Sequence, residues 1–465
     1  MKERIMHMTA AQRSQWFLFE TNPKSPFYNN IVTFKVSGRV VNSDLIKALK
    51  YLVEKHETLR TRFYVEDGKF LQRISEKIDF DIPVIDLSSY SKEKSEEEKN
   101  RIERYMAEKV INIVDEYPFS FTLLKIKENE TIILACLHHI ISDGWSMRVI
   151  MNELKSIYRD ILDNKNVDLE LPYTYSMYSL EENTLFESDE FNKQRSFWIE
   201  NLKGDIESTT LPLDKVRKNI NKNVGKTKIF NLSKDIYRNV KNIASENGTT
   251  MFMFFITTFS IFLQKLTKEN TVMFGTINAN REKENTDKLI AFFANTLPLK
   301  LNIDKEISFI DNLESVTDQL IEIYDNKEVP FEIIVKDKGV KSYQGINPLF
   351  QIVFVYQNSI INSISDKDFT LDFEVIPNKT SKFDLAVHFF EKAEKIEVRF
   401  EYNSDLLLET TISIWEKQFV DIIEKCIKNP NAKIGELESI SDEEKSIILN
   451  DFNNTERAYQ RDSCI

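Results

Sequence analysis

The sequence predicts a mixed α/β fold divided into two lobes. The apolar run 131–137 reads as a strand, and a polar turn separates it from apolar residues that recur at helical spacing from Met147. The chain has 465 residues, which is more than one hydrophobic core usually supports. The order of hairpin and helix recurs at 383–426 in outline, without a detectable sequence repeat.

The composition argues against several classes of function. Lysine and arginine number 62 against 74 aspartates and glutamates, and this net charge of −12 argues against nucleic-acid and anionic-membrane partners. Cys136, Cys426 and Cys464 are too widely separated for a metal or disulfide framework, so no metal site and a reducing cytoplasm are expected. The N-terminus lacks the apolar core of a secretory signal, and the run 251–263 is too short to cross a bilayer.

The first half of the chain is expected to form alternating helices and strands. Asn42 or Ser43 should cap a helix that buries Leu45, Leu49 and Leu52. The elements predicted here are a helix with Trp16 in the core at 8–19, a strand at 28–36, the capped helix from 42, a helix end followed by a strand at 54–63, and a solvated helix at 91–109.

A hairpin is predicted to deliver two adjacent histidines to one strand end. Residues 119–126 and 131–137 form this hairpin, and His138 and His139 follow it directly. Successive strand residues point to opposite faces, so at most one of the two histidines should act on a substrate. Gly144 precedes a helix start, where a backbone N–H and the helix dipole could stabilise an oxyanion. The alternative is a buried histidine pair with a turn glycine.

The second half is expected to lack such chemistry. Asn403, Ser404 and Asp405 stand where its hairpin would carry the histidines. The predicted elements are a helix with Trp198 and Leu202, a strand at 226–232, helices at 234–246 and from 250, strands at 272–277 and 352–356, a hairpin of 383–390 with 396–402, a helix at 410–426, and a capped helix from Ser441.

The run His138 to Gly144 resembles the HHxxxDG signature of nonribosomal peptide synthetase condensation domains and their acyltransferase relatives. The resemblance extends from Ala11 to Tyr459. Further similarities occur in the family's order: Ala11, Gln12, Trp16 and Leu18 of the opening motif; 55–63 for RHExLRTxF, with Lys55 for the first Arg; a weak YxDYAxW at 175–181; 275–281 for GTPxAGR; 290–300 for IGxFVNTLPLR; VPFE at 329–332; and NPLFQ at 347–351.

The resemblance implies a specific architecture. Two lobes like chloramphenicol acetyltransferase would form a V-shaped pseudo-dimer with a tunnel between them. The N-terminal lobe would comprise residues 1–175 and the C-terminal lobe residues 176–435. Residues 436–465 would begin the linker to an adenylation domain. A monomer is expected, since two lobes already supply both sides of the site.

The resemblance also implies the reaction. The amine of a carrier-bound aminoacyl group would attack a carrier-bound acyl or peptidyl thioester and form an amide, as in secondary-metabolite biosynthesis. The domain itself would bind no cofactor, because both substrates hang from phosphopantetheine on donor and acceptor carrier proteins. An α-amine has a pKa of about 7.7–8.0, so roughly a tenth or more is neutral near pH 7.

Residue roles follow from the same resemblance. His139 would position the amine and take its proton, and the Gly144 N–H would stabilise the oxyanion. His138, Asp143 and Arg281 would support the site, with Arg148 as a local competitor for Asp143. For His56, polar packing under the site and a direct substrate role stay open. The tunnel is expected to include Trp145, Ser146, Asn295 and Arg62, the last with the same alternative as His56.

Related classes are separated by local residues. Heterocyclisation domains carry aspartates in place of the histidines, epimerisation domains read DGxSW after them, and plant CoA acyltransferases carry a DFGWG motif that is absent here. Two alternatives remain. A starter-type domain would N-acylate the first amino acid from an acyl-CoA or acyl-carrier donor, which the position of Met1 near the first motif favours. A non-catalytic carrier-docking module is disfavoured by the intact His139, Asp143 and Gly144.

Overall fold

The structure is a computed structural model that describes residues 2–204, 208–217, 224–340, 347–357, 363–376, 380–392, 394–437 and 450. Its helices are α1 (Ala10–Thr21), α2 (Asn42–Lys55), α3 (Lys92–Ala107), α4 (Gly144–Leu162), α5 (Tyr175–Phe186), α6 (Asp189–Asn201), α7 (Lys234–Glu246), α8 (Met251–Thr267), α9 (Phe309–Asp325), α10 (Phe331–Lys338) and α11 (Glu409–Lys428). The strands are β1 (Glu3–His7), β2 (Asn29–Gly38), β3 (Thr61–Glu66), β4 (Lys69–Ser75), β5 (Val84–Asp86), β6 (Phe119–Lys127), β7 (Glu130–His138), β8 (Gly225–Leu232), β9 (Thr271–Asn278), β10 (Asn295–Asn302), β11 (Ile352–Gln357), β12 (Ser363–Ser365), β13 (Phe369–Val375), β14 (Leu385–Lys392) and β15 (Lys395–Asn403).

The first of two six-stranded sheets carries the histidine pair. Its order is β12-β13-β2-β7-β6-β5, and β6 and β7 form the predicted antiparallel hairpin. Helix α2 packs against α4, and both bury their apolar residues, such as Leu49 and Ile150, in the core of this sheet. Burial of these residues on a 3.6-residue period explains why both helices form where the sequence predicted them. A separate small sheet has the order β1-β4-β3.

The second six-stranded sheet has the order β10-β9-β11-β14-β15-β8. Strand β11 runs parallel to both β9 and β14, and the other neighbours are antiparallel. Helix α8 is buried around its circumference, including Phe254, Phe259 and Thr258. The mixed α/β class predicted from the sequence is confirmed.

The first sheet contains two strands from late in the chain. Strands β12 and β13 follow β11 of the second sheet, yet β13 pairs antiparallel with β2 from Phe369 opposite Gly38 to Val375 opposite Val32. The first sheet is therefore completed by residues from the second half of the chain. The lobe boundary near residue 175 and the V-shaped arrangement stay predictions.

One predicted helix cap is wrong. Helix α2 begins at Asn42 itself, and Val41 occupies the N-cap position without a side-chain hydrogen bond. The Asn42 Oδ1 instead accepts a hydrogen bond of 2.9 Å from the Thr131 hydroxyl on β7, so the side chain ties the helix to the sheet. The helix predicted from Ser441 and the linker motif ending at Tyr459 lie outside the described residues, apart from Asn450.

Within the described ranges, no single helix is long and apolar enough to cross a membrane. In the same described part of the chain, one bent pair, α7 with α8, reaches the required length and composition together.

Gly275→Ala should destabilise the fold by about 1–3 kcal/mol, because a Cβ on β9 would overlap the fully buried ring of Phe350 and force the packed core to shift. The matched control is Gly144→Ala, where a Cβ would meet no atom within 4 Å and the backbone is not left-handed. Urea unfolding of both variants measures the effect. Equal midpoints for the two variants would contradict the predicted overlap.

Candidate active site

The histidine loop is fixed by hydrogen bonds to the residues that directly precede the two neighbouring strands, β6 and β2. The His138 N–H donates to the Pro118 carbonyl oxygen at 2.9 Å, and the His139 N–H donates to the Tyr28 carbonyl oxygen at 2.7 Å. A short 3-10 turn, His139–Ile141, then leads to α4. The two rings have different neighbours: Phe19 for His138 and Phe292 for His139. The loop thus presents its two histidines to different surroundings, as the strand alternation predicts.

The proton position on His139 follows from one hydrogen bond. Its Nδ1 lies 2.6 Å from the Ser142 carbonyl oxygen. A carbonyl oxygen can only accept, so the proton sits on Nδ1 and Nε2 carries a lone pair. Burial, and next the positive charge of Lys382, lower the pKa of His139 to about 4. The imidazole is therefore neutral near pH 7 and its Nε2 can accept a proton.

His138 holds the opposite tautomer. Its Nδ1 accepts a hydrogen bond of 3.1 Å from the Ile140 N–H, so a neutral ring carries its proton on Nε2. The side chain is buried, and that burial lowers the pKa of His138 to about 3. These contacts brace the turn that orients His139.

Asp143 and Arg281 form a buried ion pair. Arg281 Nη2 lies 2.9 Å from Asp143 Oδ1 and 3.1 Å from Oδ2, with side-chain exposures of 2% and 6% for the arginine and the aspartate. Asp143 is also the N-cap of α4, where Oδ1 accepts from the Ser146 N–H at 2.9 Å. Because its oxygens are committed to these donors, Asp143 holds the loop. The competitor Arg148 lies over the Trp145 ring at 5.2 Å.

Arg281 also binds the chain that leads to β10. Its Nη1 donates to the carbonyl oxygens of Thr286 at 2.7 Å and Leu289 at 2.8 Å. Its guanidinium carbon lies 4.4 Å from the centre of the Phe293 ring. One arginine thus joins β9, the histidine loop and the residues before β10.

The crossing segment, residues 289–293, docks on the first half of the chain through its backbone. The Ile290 carbonyl oxygen accepts from the Thr58 hydroxyl, and the Ala291 carbonyl oxygen accepts from the Ser146 hydroxyl at 2.8 Å. The Phe293 N–H donates to Asp143 Oδ2 at 3.1 Å. Buried polar groups need such partners, so these bonds fix the position of the segment. The Phe292 ring against His139 is set by this docking.

His56 lies under the crossing segment. Its Nδ1 accepts a 3.4 Å hydrogen bond from the Ile290 N–H, and burial lowers the pKa of His56 to about 3. A cavity of about 220 Å³ adjoins it, lined also by Arg4, Arg60 and Tyr175. The contacts of His56 are those of polar packing.

Gly144 is the first residue of α4 and is exposed to solvent. Among the described residues, the Gly144 N–H forms no hydrogen bond. A Cβ built on Gly144 would have no neighbouring atom within 4 Å. A free N–H at the positive end of a 19-residue helix is suited to bind a partly negative oxygen.

The predicted tunnel residues divide into two groups. Trp145 and Ser146 contact the residues around the crossing segment, the indole N–H donating to the Asp287 carbonyl oxygen at 3.0 Å. Asn295 is hydrogen bonded through its amide to the carbonyl oxygens of Lys327 and Val329, both at 2.9 Å. Arg62 pairs with Glu3 at 3.1 Å in the small sheet. The structure places Trp145 and Ser146 next to the histidine loop. Asn295 and Arg62 make their contacts in other parts of the molecule.

Two residues of the site were missed by the sequence analysis. The Tyr175 hydroxyl donates to the Phe292 carbonyl oxygen at 2.7 Å and also contacts the Thr9 hydroxyl at 2.8 Å. The weak match at 175–181 could have indicated it. Lys382 has its Nζ 5.4 Å from the centre of the Tyr28 ring, and no motif pointed to it.

The strand, histidine turn and capped helix, locked by an aspartate–arginine pair across two sheets, define an acyltransferase site of the HHxxxDG type. The condensation-domain family model matches residues 2–449, and the chain belongs to this family. It is a condensation domain of the kind found in nonribosomal peptide synthetases, whose reaction is amide-bond formation.

Similarities to known proteins accompany this family assignment. A linear gramicidin synthase protein from Brevibacillus parabrevis is 30% identical over 98% of this chain, which spans 9% of that protein. A four-domain nonribosomal peptide synthetase bound to AMP and glycine has a TM-score of 0.83 at 18% identity, covering 96% of this chain and 35% of that one. The X-domain in its complex with OxyB from teicoplanin biosynthesis has a TM-score of 0.84 at 20% identity, covering 95% and 97%. The two structural similarities establish the fold alone.

Arg281→Met should lower the free energy of unfolding by about 3–5 kcal/mol, because it leaves Asp143 buried without its cation. Arg148→Met is the matched control, since Arg148 is exposed. Chemical denaturation followed by circular dichroism measures both. A loss for Arg281→Met no larger than for Arg148→Met would contradict the structural role of the ion pair.

Proposed function

We propose that this chain transfers an acyl or peptidyl group from a donor carrier protein to the amine of an aminoacyl group on an acceptor carrier protein, with His139 and Gly144 as catalytic residues. The observation that carries the proposal is the hydrogen bond from His139 Nδ1 to the Ser142 carbonyl oxygen. It leaves Nε2 unprotonated on a ring that stays neutral near pH 7.

The reaction then proceeds through a tetrahedral intermediate. The neutral amine attacks the thioester carbon, a C–N bond forms, and the carbonyl electron pair moves to oxygen. The Gly144 N–H stabilises that oxyanion. The attacking nitrogen becomes strongly acidic and gives its proton to His139 Nε2. The oxyanion collapses, the C–S bond breaks, and the phosphopantetheine thiolate takes the proton from His139.

The supporting residues act through this geometry. His138 braces the turn, Asp143 caps α4 and thereby orients the Gly144 N–H, and Arg281 secures Asp143. We assign Trp145, Ser146, Asn295 and Arg62 to the walls or supports of a substrate tunnel between lobes 1–175 and 176–435. We further propose a monomer that acts in the cytoplasm beside an adenylation domain, with residues 436–465 as the linker.

The experiment that tests this function is intact-mass spectrometry of an aminoacyl-loaded acceptor carrier. It is incubated with this chain and, in separate reactions, with aminoacyl-carrier, peptidyl-carrier and fatty-acyl-CoA donors. A mass gain from an aminoacyl or peptidyl carrier supports elongation. A gain only from the fatty-acyl donor would assign the chain to the starter class, and no gain from any donor would support a docking module.

His139→Ala should reduce the rate of transfer by about a hundredfold to ten-thousandfold, because the proton acceptor is removed. Quenched-flow or intact-mass time courses measure the rate. His7→Ala, which changes an exposed histidine on β1, serves as the matched control. Near-normal transfer by a folded His139→Ala variant would exclude His139 from the reaction.

The pH dependence should report the acceptor amine. His139 has a pKa of about 4, well below the ordinary value, so it is neutral throughout the range in which the amine titrates. The rate is therefore expected to rise with pH to a plateau set by an amine pKa of about 7.7–8.0, with a further loss only at acidic pH as His139 takes a proton. Profiles with two acceptors of different amine basicity measure this. A limb near about 6.5 that is the same for both acceptors would show that His139 titrates instead.

A further inference from the structure

The Phe292 ring is the part of the crossing segment that meets the imidazole of His139. The centres of the two rings are 4.9 Å apart and their planes meet at 68°, which is an edge-to-face arrangement. Phe292 is 7% exposed, so its ring is enclosed by protein. The Ser142 carbonyl oxygen binds Nδ1 of the same imidazole. His139 is therefore contacted at two places, by a hydrogen bond and by an aromatic ring.

The orientation of the His139 ring decides which of its atoms faces a substrate. The torsion about the Cβ–Cγ bond of a histidine has broad and roughly two-fold minima. A half-turn about this bond would exchange the places of Nε2 and Cε1, and a carbon would then stand where the lone pair was. Proton transfer to Nε2 needs the first orientation, because reacting groups must be aligned.

A buried tyrosine binds the backbone that carries Phe292. Tyr175 is the first residue of α5, is 2% exposed, and donates from its hydroxyl to the Phe292 carbonyl oxygen at 2.7 Å. The Thr9 hydroxyl lies 2.8 Å from the same tyrosine oxygen. Because the single hydroxyl proton of Tyr175 goes to Phe292, Thr9 is the donor in that pair. Burial raises the pKa of Tyr175 above its ordinary value, so the hydroxyl keeps this proton.

The Tyr175 ring is itself fixed by aromatic neighbours. Tyr178 stacks on it with the ring centres 5.7 Å apart, and Phe293 meets it edge-on at 5.1 Å. The Phe293 N–H donates to Asp143 Oδ2 at 3.1 Å. Phe292 thus lies between two bound backbone groups, its own carbonyl oxygen on Tyr175 and the next N–H on Asp143. This arrangement leaves the backbone little freedom at the point from which the ring projects onto His139.

We propose that Phe292 and Tyr175 are positioning residues of this candidate active site. The Phe292 ring keeps the His139 imidazole in the orientation that presents Nε2 to the substrates, and the Tyr175 hydroxyl holds Phe292 in place. The catalytic consequence rests on the proposed role of His139. Neither side chain takes part in a bond change, and both act through the alignment of the imidazole.

The direct test observes the His139 ring without substrate. The full chain is labelled with ¹⁵N-histidine, and the His139 signals are identified among the five histidines with His139→Gln. At pH 7 the wild type should show a protonated Nδ1 and an unprotonated Nε2. Phe292→Ala should move the two signals toward each other, because a ring that turns loses the Ser142 hydrogen bond for part of the time. Phe292→Leu, which keeps an apolar side chain in the space, should give an intermediate result.

Kinetics of the transfer reaction separate positioning from substrate binding. Phe292→Ala should lower kcat by about tenfold and change KM by less than about twofold, because an aromatic contact to the catalytic ring is lost. Tyr175→Phe, which removes only the hydroxyl, should lower kcat by about threefold. Tyr173→Phe is the matched control and should change neither constant, since this neighbouring tyrosine donates its hydroxyl to Glu181.

A double variant tests whether Tyr175 acts through Phe292. If it does, Tyr175→Phe should hardly lower kcat further once Phe292→Ala is present, because the ring that the hydroxyl holds is gone. The comparison requires the two single variants, the double variant and the wild type, each shown to be folded by circular dichroism.

Three results would overturn the proposal. The first is a set of His139 signals in folded Phe292→Ala that coincides with that of the wild type, and the same criterion applies to Phe292→Leu if the alanine variant does not fold. The second is an equal loss of kcat on Tyr175→Phe in both backgrounds. The third is an increase in KM with kcat unchanged, which would assign Phe292 to substrate binding. Failure of the donor panel described above would contradict the transfer function and leave the His139 signals intact, so the two failures are distinguishable.

Discussion

The candidate active site depends on the buried ion pair between Asp143 and Arg281. An unpaired charge in this environment would cost several kcal/mol, so each partner requires the other. Asp143 also caps α4, and Arg281 also holds the carbonyl oxygens of Thr286 and Leu289. A single electrostatic contact therefore couples the helix start, the histidine loop and the crossing segment. This coupling fixes the relative positions of two residues that lie 138 positions apart along the chain.

The paired histidines show how neighbouring, identical side chains acquire different tasks. Backbone groups decide the tautomer in both cases: an N–H directs the proton of His138 to Nε2, and a carbonyl oxygen directs the proton of His139 to Nδ1. Burial keeps both rings neutral. His138 uses its Nδ1 to accept a hydrogen bond within the turn, whereas His139 keeps an unprotonated Nε2. The backbone geometry of the turn therefore determines which ring nitrogen of each histidine carries the proton.

Sequence patterns predicted those elements whose formation depends on neighbouring residues in the chain. The hairpin of β6 and β7 and helix α4 follow from alternation and helical spacing, and resemblance to the family supplied Arg281 as the partner of Asp143. The Asn42 cap was mispredicted because a hydroxyl from a distant strand, Thr131, binds that side chain. Neither the backbone contacts of the crossing segment nor the position of Lys382 has a periodic signature. They arise only when segments hundreds of residues apart are brought together by the sheets.

The pairing of β13 with β2 has a consequence for how the molecule could be divided. Seven consecutive residue pairs, from Phe369 with Gly38 to Val375 with Val32, join a late segment of the chain to an early sheet. A fragment that ended near residue 175 would leave the edge of β2 unpaired and the Phe34 ring without its neighbour Phe373. Exposed strand edges recruit other strands, so such a fragment would tend to self-associate. Supplied as a separate peptide, residues 363–376 would be the natural complement of that edge.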